Sequence, residues 1–238
     1  MRATLVYGLA PPAAWSSVTP LKPYPPPPRA EPLWPVQVTL LLAIVLQFSL
    51  ADRLIVGPRW LLPGLEGLLL VGLTAASPRR LESEHRGRRV PALSLTLLVS
   101  AANIYSLGGL AHYLLHSHVG AGRALILSGV VIWLTNVVIF GLWYWEIDRG
   151  GPGRRASGND GIPGFLFPQM SDDAIHPPDW RPQLIDYLYV SLTNAAAFSP
   201  TDTMPLSRGA KSMMGVQSLV SLVTLGLIVA RAVNLLPQ

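Results

Sequence analysis

Read for its hydrophobic and polar positions, the chain is a succession of long apolar runs separated by polar segments. Val36–Ala51 is apolar apart from Gln37, Thr39, Gln47 and Ser49, and Leu61–Ala76 follows with one carboxylate, Glu66. A third run covers about Pro91–His116, a fourth about Arg123–Ile147 and a last about Arg208–Leu236. Such runs predict membrane helices, since about 20 apolar residues in a helix cross the ~30 Å hydrocarbon layer. The first two are shorter and must borrow flanking residues. One stretch breaks the pattern: Tyr187–Pro205 starts with helical apolar spacing and loses helix character at Phe198–Pro200. It is too short to span and too apolar for an ordinary loop. That profile predicts a re-entrant helix followed by a turn, tolerated only where other helices or a wet cavity shield the backbone. The expected fold is an all-α integral membrane protein with five transmembrane helices and one re-entrant pore-like helix.

Three regions follow from this pattern. Residues 1–34 form a Pro-rich tail, with Pro11, Pro12, Pro20, Pro23 and Pro25–Pro28, a density that favours extended polyproline conformation over a packed core. The tail reads as a solvated, mobile segment; a protein partner docking on Pro25–Pro28 is the second reading. Residues 35–118 hold the first three membrane helices. Residues 119–238 form a pore-like module: a helix, a long polar segment, the re-entrant helix and the last helix.

Composition strengthens the membrane class. Half of the 238 residues are hydrophobic and 13% are charged, against about 25% charged in soluble domains. The net charge of +5 is therefore read through membrane topology, with the lipid bilayer as partner and no nucleic acid, since no nucleic-acid-binding motif is present. The absence of cysteine rules out disulfides, thiolate metal sites and cysteine nucleophiles.

The polar residues at membrane depth are the candidate chemistry. Glu66 is a carboxylate in an apolar helix, a position that is rare and often functional. Asn103 and Asn136 sit at comparable depths on adjacent antiparallel helices, which predicts a hydrogen bond between them; a polar pathway is the alternative. Gln217, Ser218, Ser221 and Thr224 recur at helical spacing and mark one polar stripe on the last helix. Such a stripe faces other helices or a wet cavity, because lipid offers no hydrogen-bond partner. His112 and His116 share a helix face without an evident third ligand, and Asp172, Asp173, His176 and Asp179 lack the spacing of a calcium loop. No metal, cofactor or catalytic constellation is expected, so an enzyme is not the reading. In the polar segment, Phe165–Pro168 and Trp180 are apolar enough to pack back on the membrane surface.

The last 115 or so residues resemble the pore region of potassium-channel-type proteins. Their pattern of a pore helix ending in Thr, then Val-Gly-Tyr-Gly-Asp, two residues and Pro falls on Ala197, Phe198, Ser199, Pro200, Thr201, Asp202 and, after two residues, Pro205. The chain is also similar to a family of bacterial multi-pass membrane proteins without an assigned activity. The shared features there are the aromatic-rich Trp143–Glu146, then Asp186–Tyr189, Ser191–Thr193 and Ser199–Asp202. The resemblance implies a channel-like homo-oligomer, a tetramer, in a bacterial inner membrane. A potassium filter needs glycines at alternating positions to aim its carbonyls. Ser199 and Thr201 stand there instead, and Pro200 fixes its own φ and pushes Ser199 toward extended conformations. A filter here selects through the side-chain oxygens of Ser199, Thr201 and Asp202. The expected pore-lining set is Thr193, Asn194, Ser199, Pro200, Thr201, Asp202, Gln217, Ser221 and Thr224. The alternatives are a non-conducting scaffold or accessory protein with a vestigial pore shape, or a secondary transporter built on Glu66 and the paired asparagines.

Charge gives the orientation. With five spans, the tail, the loop with Arg79, Arg80, Arg86, Arg88 and Arg89, and the segment from Arg149 to Lys211 share one face. The other face keeps only Arg53, Arg59, Arg123 and Arg231. The positive-inside rule then puts the N-terminus and the mouth of the re-entrant stretch in the cytoplasm, whereas potassium-channel filters open outward.

Overall fold

The structure is a computed structural model, and it describes residues 34–51, 54–55, 60–75, 86–116, 122–156, 161–171, 180–197 and 202–233. It is mostly helical. In chain order the helices are α1 (Trp34–Phe48), α2 (Leu61–Ala75), α3 (Arg86–His116), α4 (Gly122–Ile147), α5 (Pro152–Ala156), α6 (Leu184–Ala197) and α7 (Arg208–Val233). Two residue pairs, β1 (Phe165–Leu166) and β2 (Met204–Pro205), form an antiparallel ladder with Phe165 opposite Pro205.

Among the described residues, three helices are long and apolar enough to cross a membrane: Val90–Leu114, Arg123–Gly150 and Arg208–Val233. At ~1.5 Å rise per residue, the 15 residues of α1 and of α2 each cover about 22 Å, short of the hydrocarbon thickness. All helices but α5 carry large apolar side chains on their outside, among them Leu68, Val71, Ile104, Leu127 and Leu219. Water disfavours an apolar surface of that extent, and a lipid phase does not.

α3 starts five residues before the expected Pro91 and carries that proline inside it. Close to a helix start, proline removes a single backbone hydrogen bond, so the arginine-rich stretch 86–90 joins the helix instead of the preceding loop. The Pro-rich tail and Ser199, Pro200 and Thr201 lie outside the described residues.

α4 is the hub, packed on α1, α3, α6 and α7. Around its C-terminal half lies the larger core, with Leu40, Ala43 and Ile44 of α1, Leu95 and Val99 of α3, Tyr187 and Val190 of α6, and Met214 of α7. Around its N-terminal half lies a smaller core of Leu50, Leu54, Leu110, Leu125 and Ile132. There the segment after α1 is tied inward: Ser106 Oγ donates to Leu54 O at 2.9 Å, and Ala51 N donates to Ser128 Oγ at 3.1 Å. α6 lies close against α4 at Gly141, where a Cβ would stand 2.6 Å from Leu188 Cδ2 and 3.1 Å from Leu188 Cα. Only glycine permits that approach.

Phe165 and Phe167 do not lie out on a membrane surface. They are 0% and 3% exposed in the main core, where Phe165 packs on Tyr144 and Tyr187 and Phe167 on Trp180 and Tyr187. A cluster of aromatic faces and edges gains more by closing on itself than by dipping into an interface.

Candidate functional site

The polar groups of the C-terminal half converge where α6 lies in the seam between α4 and α7. The spacing of Ser191, Asn194 and Ala195 on α6 places them on one face, which meets the stripe of Gln217, Ser221 and Thr224 on α7. Gln217 is the centre. Its Nε2 donates to Ser191 Oγ at 2.6 Å and to Ser191 O at 2.9 Å, and its Oε1 accepts from Asn194 Nδ2 at 2.8 Å and from the Tyr144 hydroxyl. Asn194 Nδ2 also donates to Met214 O at 3.0 Å, and Ser218 Oγ donates to Asn194 Oδ1 at 3.2 Å. Ser191 Oγ donates in turn to Val137 O of α4 at 2.6 Å. One turn deeper, Trp133 Nε1 donates to Ser221 Oγ, which donates to Ala195 O at 2.7 Å. Ser191, Gln217, Ser221 and Thr224 are each 0% exposed.

A second group closes the outer end of this seam. Asp148, just past α4, accepts from Tyr187 OH at its Oδ2 (2.6 Å) and from Gly164 N at its Oδ1 (2.7 Å). Arg149 Nε stands 3.6 Å from the same carboxylate. Arg155 Nη1 donates to the carbonyls of Trp145 and Asp148 at 2.7 and 2.9 Å, covering the last carbonyls of α4 with positive charge. Its guanidinium also lies 5.5 Å over Trp145 and 5.6 Å over Tyr187. The chain can turn so sharply because Arg149, Gly150 and Gly151 all have positive φ, 53°, 83° and 99°. Burial, with Asp148 as a further contributor, pushes the Tyr187 phenol well above its ordinary range.

These contacts fix the two described parts of the 184–205 stretch, α6 and residues 202–205. The stretch starts beside Asp148, through Tyr187. It ends at the same place: β2 pairs with β1, and Leu206 N donates to Gly164 O at 2.8 Å. Between these anchors, α6 reaches the level of Trp133. That is about 21 Å along α4 from Ile147 at ~1.5 Å per residue. Among the described residues, α6 thus runs from one end of the helix bundle to about half-way along it, and residues 202–205 lie back at the end where α6 starts.

The expected site residues separate into distinct places. Asn194, Gln217, Ser221 and Thr224 are packed inside the chain, in the seam. Thr193 is half-buried and donates to the carbonyls of Tyr189 and Val190 of its own helix. Asp202 is exposed, and Thr203 Oγ1 donates to its Oδ1 at 3.2 Å. Asn103 and Asn136 are both buried, yet no hydrogen bond joins them, and Asn136 Nδ2 has no partner among the described residues. Equal depth on adjacent helices does not make two side chains face each other. Glu66 is fully buried, and Gln47 Nε2 donates to both of its oxygens.

Sequence reasoning missed the Asp148, Arg149 and Arg155 cluster, reading its arginines only as topological charges. The signal was Gly150-Gly151 directly after the aromatic helix end, the mark of a left-handed helix termination. Comparison with protein-family models, with curated proteins and with solved structures finds no match to this chain.

Proposed function

We propose that the chain is a channel-like membrane protein that passes a cation or a small solute through a filter unlike that of potassium channels. The observation that carries this reading is that α6 starts at one end of the bundle and reaches about half-way along α4, while residues 202–205 lie back at the end where it starts. A short helix held at half depth between two long apolar helices is how membrane proteins bring irregular backbone to an ion path. In this reading α1 and α2, extended by flanking residues, complete five membrane crossings, and α6 is the re-entrant helix. Ser199, Pro200, Thr201 and Asp202 line the narrow part, and copies of the chain, four by the potassium-channel resemblance, surround it. A ring of exposed Asp202 carboxylates favours cations.

One observation favours a second reading, a non-conducting scaffold of the same shape. The polar side chains of the seam bond to one another and to backbone of the same chain, which leaves Gln217 and Ser221 nothing to offer a wet path. Cation flux through liposomes carrying the purified full chain separates the two. The channel reading expects flux that Asp202→Ala abolishes and that deletion of residues 1–30 leaves intact. Absence of flux under every cation gradient overturns it in favour of the scaffold.

The location belongs to the same proposal: a bacterial inner membrane with the N-terminus in the cytoplasm. The chain has no native cysteine, so single cysteines at Ser157 and Ser83 report sidedness to an impermeant thiol reagent on intact cells. Protection of both supports the cytoplasmic orientation, and labelling of both reverses it.

A further inference from the structure

Outside the seam, one buried ionisable group has no part in the proposed path. Glu66 of α2 is 0% exposed, and Gln47 of α1, itself 7% exposed, is its hydrogen-bond partner. The geometry is unusual. A single nitrogen, Gln47 Nε2, faces both carboxyl oxygens, at 3.0 Å from Oε1 and 2.8 Å from Oε2. A buried carboxylate is ordinarily paired with a cation or held by several donors, since an unpaired charge in an apolar medium is costly. Here the partner is a neutral amide.

Among the described residues, the surroundings do not supply the missing charge. α1 has no charged residue between Trp34 and Phe48, and α2 has none other than Glu66. α3 carries Arg86, Arg88 and Arg89 in its first turn, and His112, Tyr113 and His116 near its end, where both histidines are exposed. Arg123 at the start of α4 is exposed as well. Among the described side chains, none but Gln47 hydrogen-bonds to Glu66.

An amide suits such a carboxyl in either protonation state. With the NH₂ group toward it, Gln47 donates to the anion. Turned over about its last torsion, the same side chain puts its carbonyl there and accepts the O–H of the neutral acid. We propose that Glu66 and Gln47 form a proton-binding site at the buried contact of α1 and α2: in the orientation seen here Gln47 holds the anion, and it turns over to accept the O–H when Glu66 takes up a proton. The site is independent of the seam and of any path along α6, and stands whether or not the chain conducts.

Two measurements on the full-length protein in detergent test this. The first uses dicyclohexylcarbodiimide, which reacts with protonated carboxyls in apolar surroundings. The acid O–H adds across one C=N bond and the acyl group then migrates to nitrogen, leaving a stable N-acylurea with no leaving group. Peptide mass analysis is expected to find the adduct on Glu66 at about pH 6, at least several-fold less at about pH 9, and none in Glu66→Gln. The second is the infrared difference between wild type and Glu66→Gln. The carbonyl-stretch band of an un-ionised acid is expected at about pH 6, giving way to carboxylate bands in alkaline solution. Gln47→Leu keeps the acid and removes its amide, and is expected to shift that band; this variant serves if Glu66→Gln does not fold. The band without the adduct still supports the site, as one closed to the reagent. Carboxylate bands at about pH 6 with no adduct overturn it and point to a cation on Glu66, with Arg59 as the nearest in sequence.

Discussion

Gln217 of α7 bonds twice to Ser191 of α6, its amide nitrogen donating to the hydroxyl at 2.6 Å and to the carbonyl at 2.9 Å. The bond to the carbonyl ties α7 to the backbone of α6, so the register of the two helices is set by main chain as well as by side chain. Tyr144 and Asn194 then fill the other end of the same amide. Gln217→Leu keeps the volume and strips all four bonds, leaving buried donors and acceptors without partners. The expected loss is about 2–5 kcal/mol of stability, read as a lowered unfolding midpoint in detergent. Adding Tyr144→Phe should recover part of it, because one orphaned hydroxyl is removed.

Tyr187→Phe keeps the aromatic packing on Phe165 and Phe167 and removes only the hydroxyl that donates to Asp148. A hydrogen bond to a buried carboxylate contributes about 1.5–3 kcal/mol. The loss should appear in the unfolding midpoint and as faster amide exchange at the start of α6, the end that Asp148 anchors.

Gly151 has φ of 99° and would place a Cβ 2.9 Å from the Glu146 carbonyl oxygen. The fixed backbone oxygen cannot move aside. Gly151→Ala is expected to destabilise by about 1–3 kcal/mol. Its effect should exceed that of Gly215→Ala, where a Cβ meets nothing within 4 Å.

Gly141→Val tests the close approach of α4 and α6. The new side chain would start 3.1 Å from the Cα of Leu188, so the two helices must part. Overpacking of this kind costs about 1–3 kcal/mol. If α6 serves an ion path, flux is expected to fall with it.

Asp186 opens α6, and its Oδ2 accepts from Gln183 N at 2.7 Å. Burial raises its carboxyl above the ordinary range, and the backbone hydrogen bond pulls the other way. A carboxyl raised in the folded state stabilises the fold below its unfolded value, and that contribution is lost as the pH climbs through the folded value. Asp186→Asn retains an acceptor and cannot ionise. It should match or exceed wild type in unfolding midpoint at neutral pH, with the difference vanishing in acid.

The apolar runs by themselves determined the helices. α1, α2, α4 and α7 start or stop within a few residues of the expected limits, because hydrophobic periodicity and its polar interruptions are local properties of the chain. The short helix of α6 was legible for the same reason. Partnership was not. The stripe of Gln217, Ser221 and Thr224 announced a face that avoids lipid, but water and Ser191, Asn194 and Ala195 satisfy that demand equally well on paper. The equal depths of Asn103 and Asn136 likewise said nothing about their rotation toward each other. Arg149 and Arg155 read as loop charges until the turn at Gly150 and Gly151 folded them over the end of α4. Helix propensity and amphipathic spacing act between neighbours in sequence, whereas the choice of hydrogen-bond partner depends on how helices far apart in sequence rotate and cross. Only the packing of α6 between α4 and α7 made that choice.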